Sequence, residues 1–147
     1  MSNPVHLQVS KTISAPLNKV WHTVALGFGN VADYNPAIAS SHLESDTTSG
    51  VGMIRHCNFP KSGYIKEEII DWQELKAFKL RFIESSVPMA TLESKFTFEE
   101  EEGATRVVQD FWFRMKAPIG WLSPLMKGKM KQTLITGLEG LQKHLSN

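Results

Sequence analysis

Cysteine is almost missing from this chain: Cys57 is the only one in 147 residues. That excludes an intramolecular disulfide and any cluster of thiolate metal ligands, and it fits a reducing compartment. An excess of one charge is missing too. The 16 Lys and Arg stand against 15 Asp and Glu, a formal net charge of +1, too little for a nucleic-acid binder that works by neutralising many phosphates. There is no apolar run near 18 residues, and the opening MSNPVHLQVSKTI has no basic flank leading into an apolar stretch. The expectation is a cytoplasmic protein with no integral membrane association and no nucleic-acid partner. A G-x-S-x-G nucleophile elbow and a phosphate-binding loop are also absent. GFGNVA, Gly27 to Ala32, matches G-x-G-x-x-A, but that fingerprint must leave a strand and open a helix, whereas this copy follows a helical pattern and reads as a helix-ending turn. His6, His22, His42, His56 and His144 show no metal-ligand spacing, so neither a metal nor a cofactor is expected.

What is present suits one domain over residues 1–147, long enough to bury about 70% of the surface its unfolded form exposes. VHLQVSKTI alternates Val5, Leu7 and Val9 against His6, Gln8 and Ser10, a half-buried strand. In SAPLNKVWHTVALGFG, Pro16 suits a first helical turn, and Leu17, Val20, Trp21 and Val24 follow at helical spacing. A short helix or turn over 30–34 should stop before Pro36. A weaker strand near 38–44 and five strands between Gly52 and Met115 come next. The spacing of Leu122, Leu125, Met126, Met130, Leu134, Leu138, Leu141 and Leu145 predicts one helix over 121–145.

Turns fix registers, and registers fix faces. A two-residue turn at Glu102 and Gly103 sets Glu99 against Arg106 and Lys95 against Asp110. The opposite face then carries Leu92, Ser94, Phe96 and Phe98 against Phe113, Phe111, Gln109 and Val107, and should turn inward. A loop at 60–62 sets Arg55 across from Glu67 within GYIKEEIIDW, whose Ile65 and Ile69 share the face of Glu67. A loop at 73–76 places Phe82 beside Glu67, and a turn around 86–88 places Leu92 beside Phe82. The inner row reads Arg55, Glu67, Phe82, Leu92, Phe113: a carboxylate aimed at a core, with its counter-ion beside it.

ISAPLNKVW, GMIR, EEIIDW, GATRVVQDF and the closing GLEGLQKHL, in this order and spacing, resemble the SRPBCC superfamily, the helix-grip or START-like group. That group includes birch-pollen-allergen-like proteins, abscisic-acid receptors, and polyketide cyclase/dehydrase and lipid-transport domains. The resemblance implies an α+β helix-grip fold: a curved seven-stranded antiparallel sheet wrapped around a long C-terminal helix, with two short helices after strand 1 and an elongated apolar cavity between sheet and helix. It implies no single function. The receptors' Ser-Gly-Leu-Pro gate is replaced here by NFPKSG, and their cavity lysine on the second strand has no counterpart over 38–44. Hormone sensing is therefore not implied, although a loop from Phe59 to Gly63 keeps its place at the cavity mouth.

The expected site follows from these registers and that fold. Arg55 and Glu67 form the polar anchor, and Met53, Cys57, Phe59, Ile65, Ile69, Phe78, Leu80, Phe82, Leu92, Phe96, Gln109, Phe111 and Phe113 form the walls. Leu122, Met126, Met130 and Leu134 cap them, while Gly128, Gly137 and Gly140 leave room beside the helix. The expected partner is a small hydrophobic molecule. KGKMK at 127–131, with Arg114 and Lys116, reads as a solvated face that would also allow transient contact with an anionic membrane. A cyclase or dehydratase, with Arg55 polarising a carbonyl and Glu67 moving a proton, ranks second, because such a carboxylate works best without a cation beside it. A protein-interaction module of the chaperone-activator kind ranks third.

Overall fold

Alternation makes the first strand. In the computed structural model, which describes residues 3–146, β1 is Val5–Ile13, with Leu7, Val9 and Ile13 buried and His6, Gln8 and Ser10 facing out. Pro16 caps the first helix from an extended conformation instead of entering its first turn. This helix, α1, covers only Leu17–Trp21, then widens into a π-helical turn over His22–Leu26 that the Gly27 N–H closes onto the His22 carbonyl at 2.8 Å. A 3₁₀ turn, Phe28–Asp33, leads to the remaining strands: β2 Ser40–Leu43, β3 Ile54–Asn58, β4 Tyr64–Gln73, β5 Ala77–Ser85, β6 Met89–Glu101 and β7 Ala104–Met115. All pair antiparallel in one seven-stranded sheet of order β1-β7-β6-β5-β4-β3-β2.

The hairpins carry the expected pairs. Glu102 and Gly103 turn with φ of 44° and 84°, the left-handed pair of a type I′ hairpin, and Lys95 meets Asp110, Glu99 meets Arg106 and Phe96 meets Gln109. Arg55 lies opposite Glu67, behind a loop closed by the Phe59 N–H on the Gly63 carbonyl at 3.0 Å. Between β4 and β5 the route differs from the expected one. The loop is Glu74 to Lys76, with Leu75 at φ 60°, and Gln73 already pairs with Ala77. An irregularity between Ile69 and Asp71 takes up the extra residue, so Glu67 still meets Phe82.

The C-terminal helix is shorter than its apolar stripe. Ile119–Met126 is a 3₁₀ segment containing Pro124, and the α-helix α2 is Lys127–Leu145. Proline has no N–H to donate, and Ser123 Oγ engages the chain on either side, accepting from the Met115 N–H at 2.9 Å and donating to the Gly120 carbonyl at 2.7 Å. Trp121 and Leu125 consequently point outward, 70% and 77% exposed. α2 packs on β1, where Gln142 Oε1 accepts the Ser14 N–H at 2.8 Å. Below α1, Trp21 is 1% exposed and makes edge-on contacts with Trp72, Phe78 and Phe98. No helix among the described residues is long and apolar enough to cross a membrane.

Two helix glycines allow a close approach, and a third does not take part in it. A methyl group added at Gly140 would run into the Tyr34 carbonyl, and one at Gly137 would stand 2.9 Å from the Asn35 amide, whereas one at Gly128 would meet nothing within 4 Å. The room expected beside α2 is thus filled by the chain at Tyr34 to Pro36 along two of the three positions. Gly140→Ala should cost about 1–3 kcal/mol through overpacking, and Gly128→Ala should gain up to about 1 kcal/mol from helix propensity. Urea denaturation of the two variants should move the midpoint in opposite directions.

Candidate functional site

β3 and β4 each send one charged side chain into the interior because Arg55 and Glu67 alternate in phase with buried neighbours, Met53 and Cys57 on one side, Ile65 and Ile69 on the other. The residues are 8% and 9% exposed. Arg55 Nε donates to Glu67 Oε1 at 2.9 Å, Nη1 donates to the Phe28 carbonyl at 3.2 Å, and the guanidinium carbon stands 4.0 Å from the centre of the Phe28 ring. These bonds use two of the five N–H donors of a guanidinium.

Beside the pair lies a cavity of about 250 Å³ bounded by the sheet, α2 and the chain from Val24 to Ile38. Of the wall residues expected from the sequence, Arg55, Glu67, Phe59, Ile65, Phe78, Leu80, Leu92, Phe96, Gln109 and Phe111 line it from the sheet side, and Met130 and Leu134 line it from α2. The other expected members lie elsewhere. Met53, Cys57 and Ile69 are almost wholly buried core, in a part of the sheet where the Phe28–Asp33 turn packs on β2 and β3. Phe113 is fully buried at the end where β7 meets the 3₁₀ segment, and Phe82 is half-buried at the rim of the core. Leu122 and Met126 belong to that 3₁₀ segment and not to α2, so they do not cap the cavity.

The structure also brings in residues that the registers did not point to. Tyr34 and Asn35 enter the lining because Gly137 and Gly140 let their segment lie against α2. The two glycines on one helix face were the available signal, and what they signalled was close packing and not open space. At another part of the wall, Gln109 Nε2 donates to Ser94 Oγ at 3.0 Å, a neutral polar pair among Phe96 and Phe111.

Burial sets the ionisation of the neighbours. The Tyr34 hydroxyl is pushed up to about 12 by burial, against the pull of the Arg55 charge, so it is a neutral hydrogen-bond donor at any physiological pH. The Cys57 thiol is pushed up to about 11, again by burial, and is no nucleophile near neutrality. Burial, the largest single influence, would weaken the hold of Arg55 on its proton, but the attraction and hydrogen bond of Glu67 together with the influence of Cys57 and Tyr34 outweigh it, and the guanidinium pKa is raised. The cluster therefore offers a fixed cation, a carboxylate bonded to it and a neutral phenol.

The comparisons with known proteins agree with this architecture. The family model for polyketide cyclase / dehydrase and lipid transport proteins matches residues 4–146. No curated protein matches the sequence. Among solved structures, the Zhui aromatase/cyclase from Streptomyces sp. R1128 superimposes with a TM-score of 0.82 at 11% identity, covering 95% of this chain and 92% of that one. A START superfamily protein from Mycobacterium smegmatis gives 0.76 at 16% identity, over 95% and 98% of the two chains. Ginseng major latex-like protein 151 from Panax ginseng gives 0.75 at 14% identity, over 97% and 98%. At such identities the likeness is one of fold.

Two measurements follow from the site. Arg55→Met or Glu67→Leu alone strands a buried charge and should cost about 3–5 kcal/mol, while the double variant should recover most of the loss in urea denaturation. Tyr34 is a group whose proton is held more tightly folded than unfolded. Its contribution to stability is complete below its ordinary value of 10.0 and lost as pH rises towards about 12. Tyr34→Phe should make the decline of the melting temperature across that alkaline window shallower, with the Cys57 part of the decline remaining.

Proposed function

The chain belongs to the polyketide cyclase / dehydrase and lipid transport family, and on that footing we propose that it binds one small, largely apolar organic molecule with a polar end, between the sheet and α2. The observation that carries this reading is the pairing of an apolar-walled cavity with a single charged cluster, Arg55 and Glu67, whose guanidinium keeps unused donors. A few convergent polar groups in an apolar pocket are the usual form of a small-molecule site, where the walls supply affinity and the polar groups supply orientation. A carbonyl, carboxylate or phenolic oxygen of the guest would take the free Arg55 donors, with the Tyr34 hydroxyl as a second donor in the same wall. The volume of about 250 Å³ lies just under the roughly 300–1,000 Å³ of ordinary ligand pockets. It suits a compact ring system better than a two-chain lipid.

The rival reading is a cyclase or dehydratase acting in the same cavity. A proton-transferring Glu67 would have to be released from Arg55 during the reaction, and the 2.9 Å bond between them favours a carboxylate that positions the guanidinium. Binding therefore ranks first.

An environment-sensitive apolar dye should bind the folded protein at one equivalent, and Leu80→Trp or Phe111→Trp, each filling the cavity from the sheet, should displace it. Arg55→Met/Glu67→Leu should keep the apolar dye but lose at least tenfold in affinity for a dye of the same shape bearing a carboxylate. A double variant that binds the carboxylate-bearing dye as tightly as the parent does would overturn the anchor. Turnover of a poly-β-keto substrate that disappears in Glu67→Gln would place catalysis ahead of binding.

A further inference from the structure

The outer face of β2, β3 and β4 takes no part in the cavity, yet it gathers chemistry of its own. His42 and Glu44 stand two apart in H-x-E, so they share a face, and His56 is the cross-strand partner of His42. Glu44 is held to the ladder by its N–H on the Ile54 carbonyl at 2.8 Å. One donor atom from each of His42, Glu44 and His56 lies within 4.8 Å of the others. Glu44 Oε2 is 3.6 Å from His42 Nε2 and 3.6 Å from His56 Nδ1.

The surroundings prepare His56 as a ligand. Asn58 Nδ2 donates to Ser40 Oγ at 2.9 Å, which turns Asn58 Oδ1 towards His56 Nε2, also at 2.9 Å. In the neutral imidazole Nε2 then carries the hydrogen, and Nδ1 keeps the bare lone pair. That Nδ1 is buried and makes no hydrogen bond. The ring plane is held as well, stacked between His42 and Tyr64 with centroids 5.2 Å away on either side. An imidazole oriented through its distal N–H is the outer-shell arrangement typical of metal-bound histidines. Glu44 is similarly steered, since Lys66 Nζ occupies the other carboxylate oxygen, Oε1, at 3.1 Å and leaves Oε2 to the imidazoles.

We propose that His42 Nε2, His56 Nδ1 and Glu44 Oε2 bind one divalent transition-metal ion of the zinc class, with water completing a tetrahedron. Donors 2.0–2.1 Å from zinc in a tetrahedron stand about 3.3–3.4 Å apart, so the two 3.6 Å carboxylate–imidazole spacings need to close by a few tenths of an ångström, and the two imidazole nitrogens, within 4.8 Å of each other, are brought together by rotation of the exposed His42 side chain. Two imidazoles and one carboxylate are the ligand types zinc accepts while keeping an open position. Calcium and magnesium, which want oxygen ligands, are poor matches. The His42 side chain is 59% exposed and Glu44 32% exposed, so an ion can enter from solvent. The bound ion would fasten the short edge strand β2 to β3, and β2 is the strand into which the cavity residues Ala37 and Ile38 lead.

The test is titration of the chelator-treated, full-length protein with cobalt(II), read by its visible d–d absorption, and with zinc by calorimetry. One equivalent of either ion should bind, the cobalt spectrum should be that of a tetrahedral complex, and the melting temperature should rise with zinc concentration. His42→Ala, His56→Ala and Glu44→Gln should each lose the high-affinity equivalent while keeping the circular dichroism spectrum and dye binding of the parent. Asn58→Leu should weaken the site about 10- to 100-fold by releasing the orientation of His56. A His6→Ala/His22→Ala/His144→Ala variant should bind as the parent does. No saturable binding, or a full equivalent retained by His42→Ala/His56→Ala, would overturn the proposal and leave the cluster as a solvated group of charges.

Discussion

A guanidinium and a carboxylate held almost out of water set the terms for the interior of this protein. Neither could be buried alone, since an unpaired charge in such a place costs several kcal/mol, and each is brought to the other by the pairing of Arg55 with Glu67 across β3 and β4. The guanidinium then recruits a third element: the Phe28 carbonyl accepts from Nη1 and the Phe28 ring lies beneath the cation. The turn after α1, β3 and β4 are thus fastened at one point. An apolar core cannot close over that point without desolvating the remaining N–H donors, which gives a physical reason for a cavity beside it.

The other side of the cavity depends on the absence of side chains. At Gly137 and Gly140 the backbone of α2 comes close enough to the chain at Tyr34 to Pro36 that a methyl group would collide with it. Tyr34 is consequently pressed into the wall that also contains Arg55. Helix propensity is given up here, by up to about 1 kcal/mol per glycine, for an approach that no larger residue permits. The polar end of the cavity therefore draws on two distant constraints, an ion pair within the sheet and a bare strip on the helix.

The parts of this arrangement that were legible in the chain are those governed by period and register. Alternation in VHLQVSKTI and GYIKEEIIDW settled which side chains turn inward, and the short turns settled who meets whom, so the Arg55–Glu67 contact followed from counting. Even the miscounted β4–β5 loop left Phe82 opposite Glu67, because a bulge near Ile70 absorbed the error. What counting could not supply was depth. Met53, Cys57 and Ile69 face inward as expected, but inward-facing residues meet either the cavity or the packed turn in front of it, and only the path of the segment from Phe28 to Ile38 decides which. The apolar stripe from Leu122 to Met126 misled for a related reason. Its spacing fits an α-helix, whereas the serine at 123 and the proline at 124 impose a 3₁₀ path that turns Leu125 to solvent.

The alternation that buries Arg55 also determines what its neighbours do. His56 and Asn58 must face outward if Arg55 and Cys57 face inward, and the pairing of β2 with β3 then sets His42 across from His56. A slip of one residue along β3 would expose the guanidinium and bury the imidazole together, so the two faces cannot be adjusted separately. The buried ion pair strongly opposes that slip, because it would separate Arg55 from Glu67 and leave the carboxylate in the interior without its counter-ion. The order of the histidine and carboxylate groups on the outside is thus enforced by an interaction on the inside, through one strand of backbone and with no side-chain contact between the two sites.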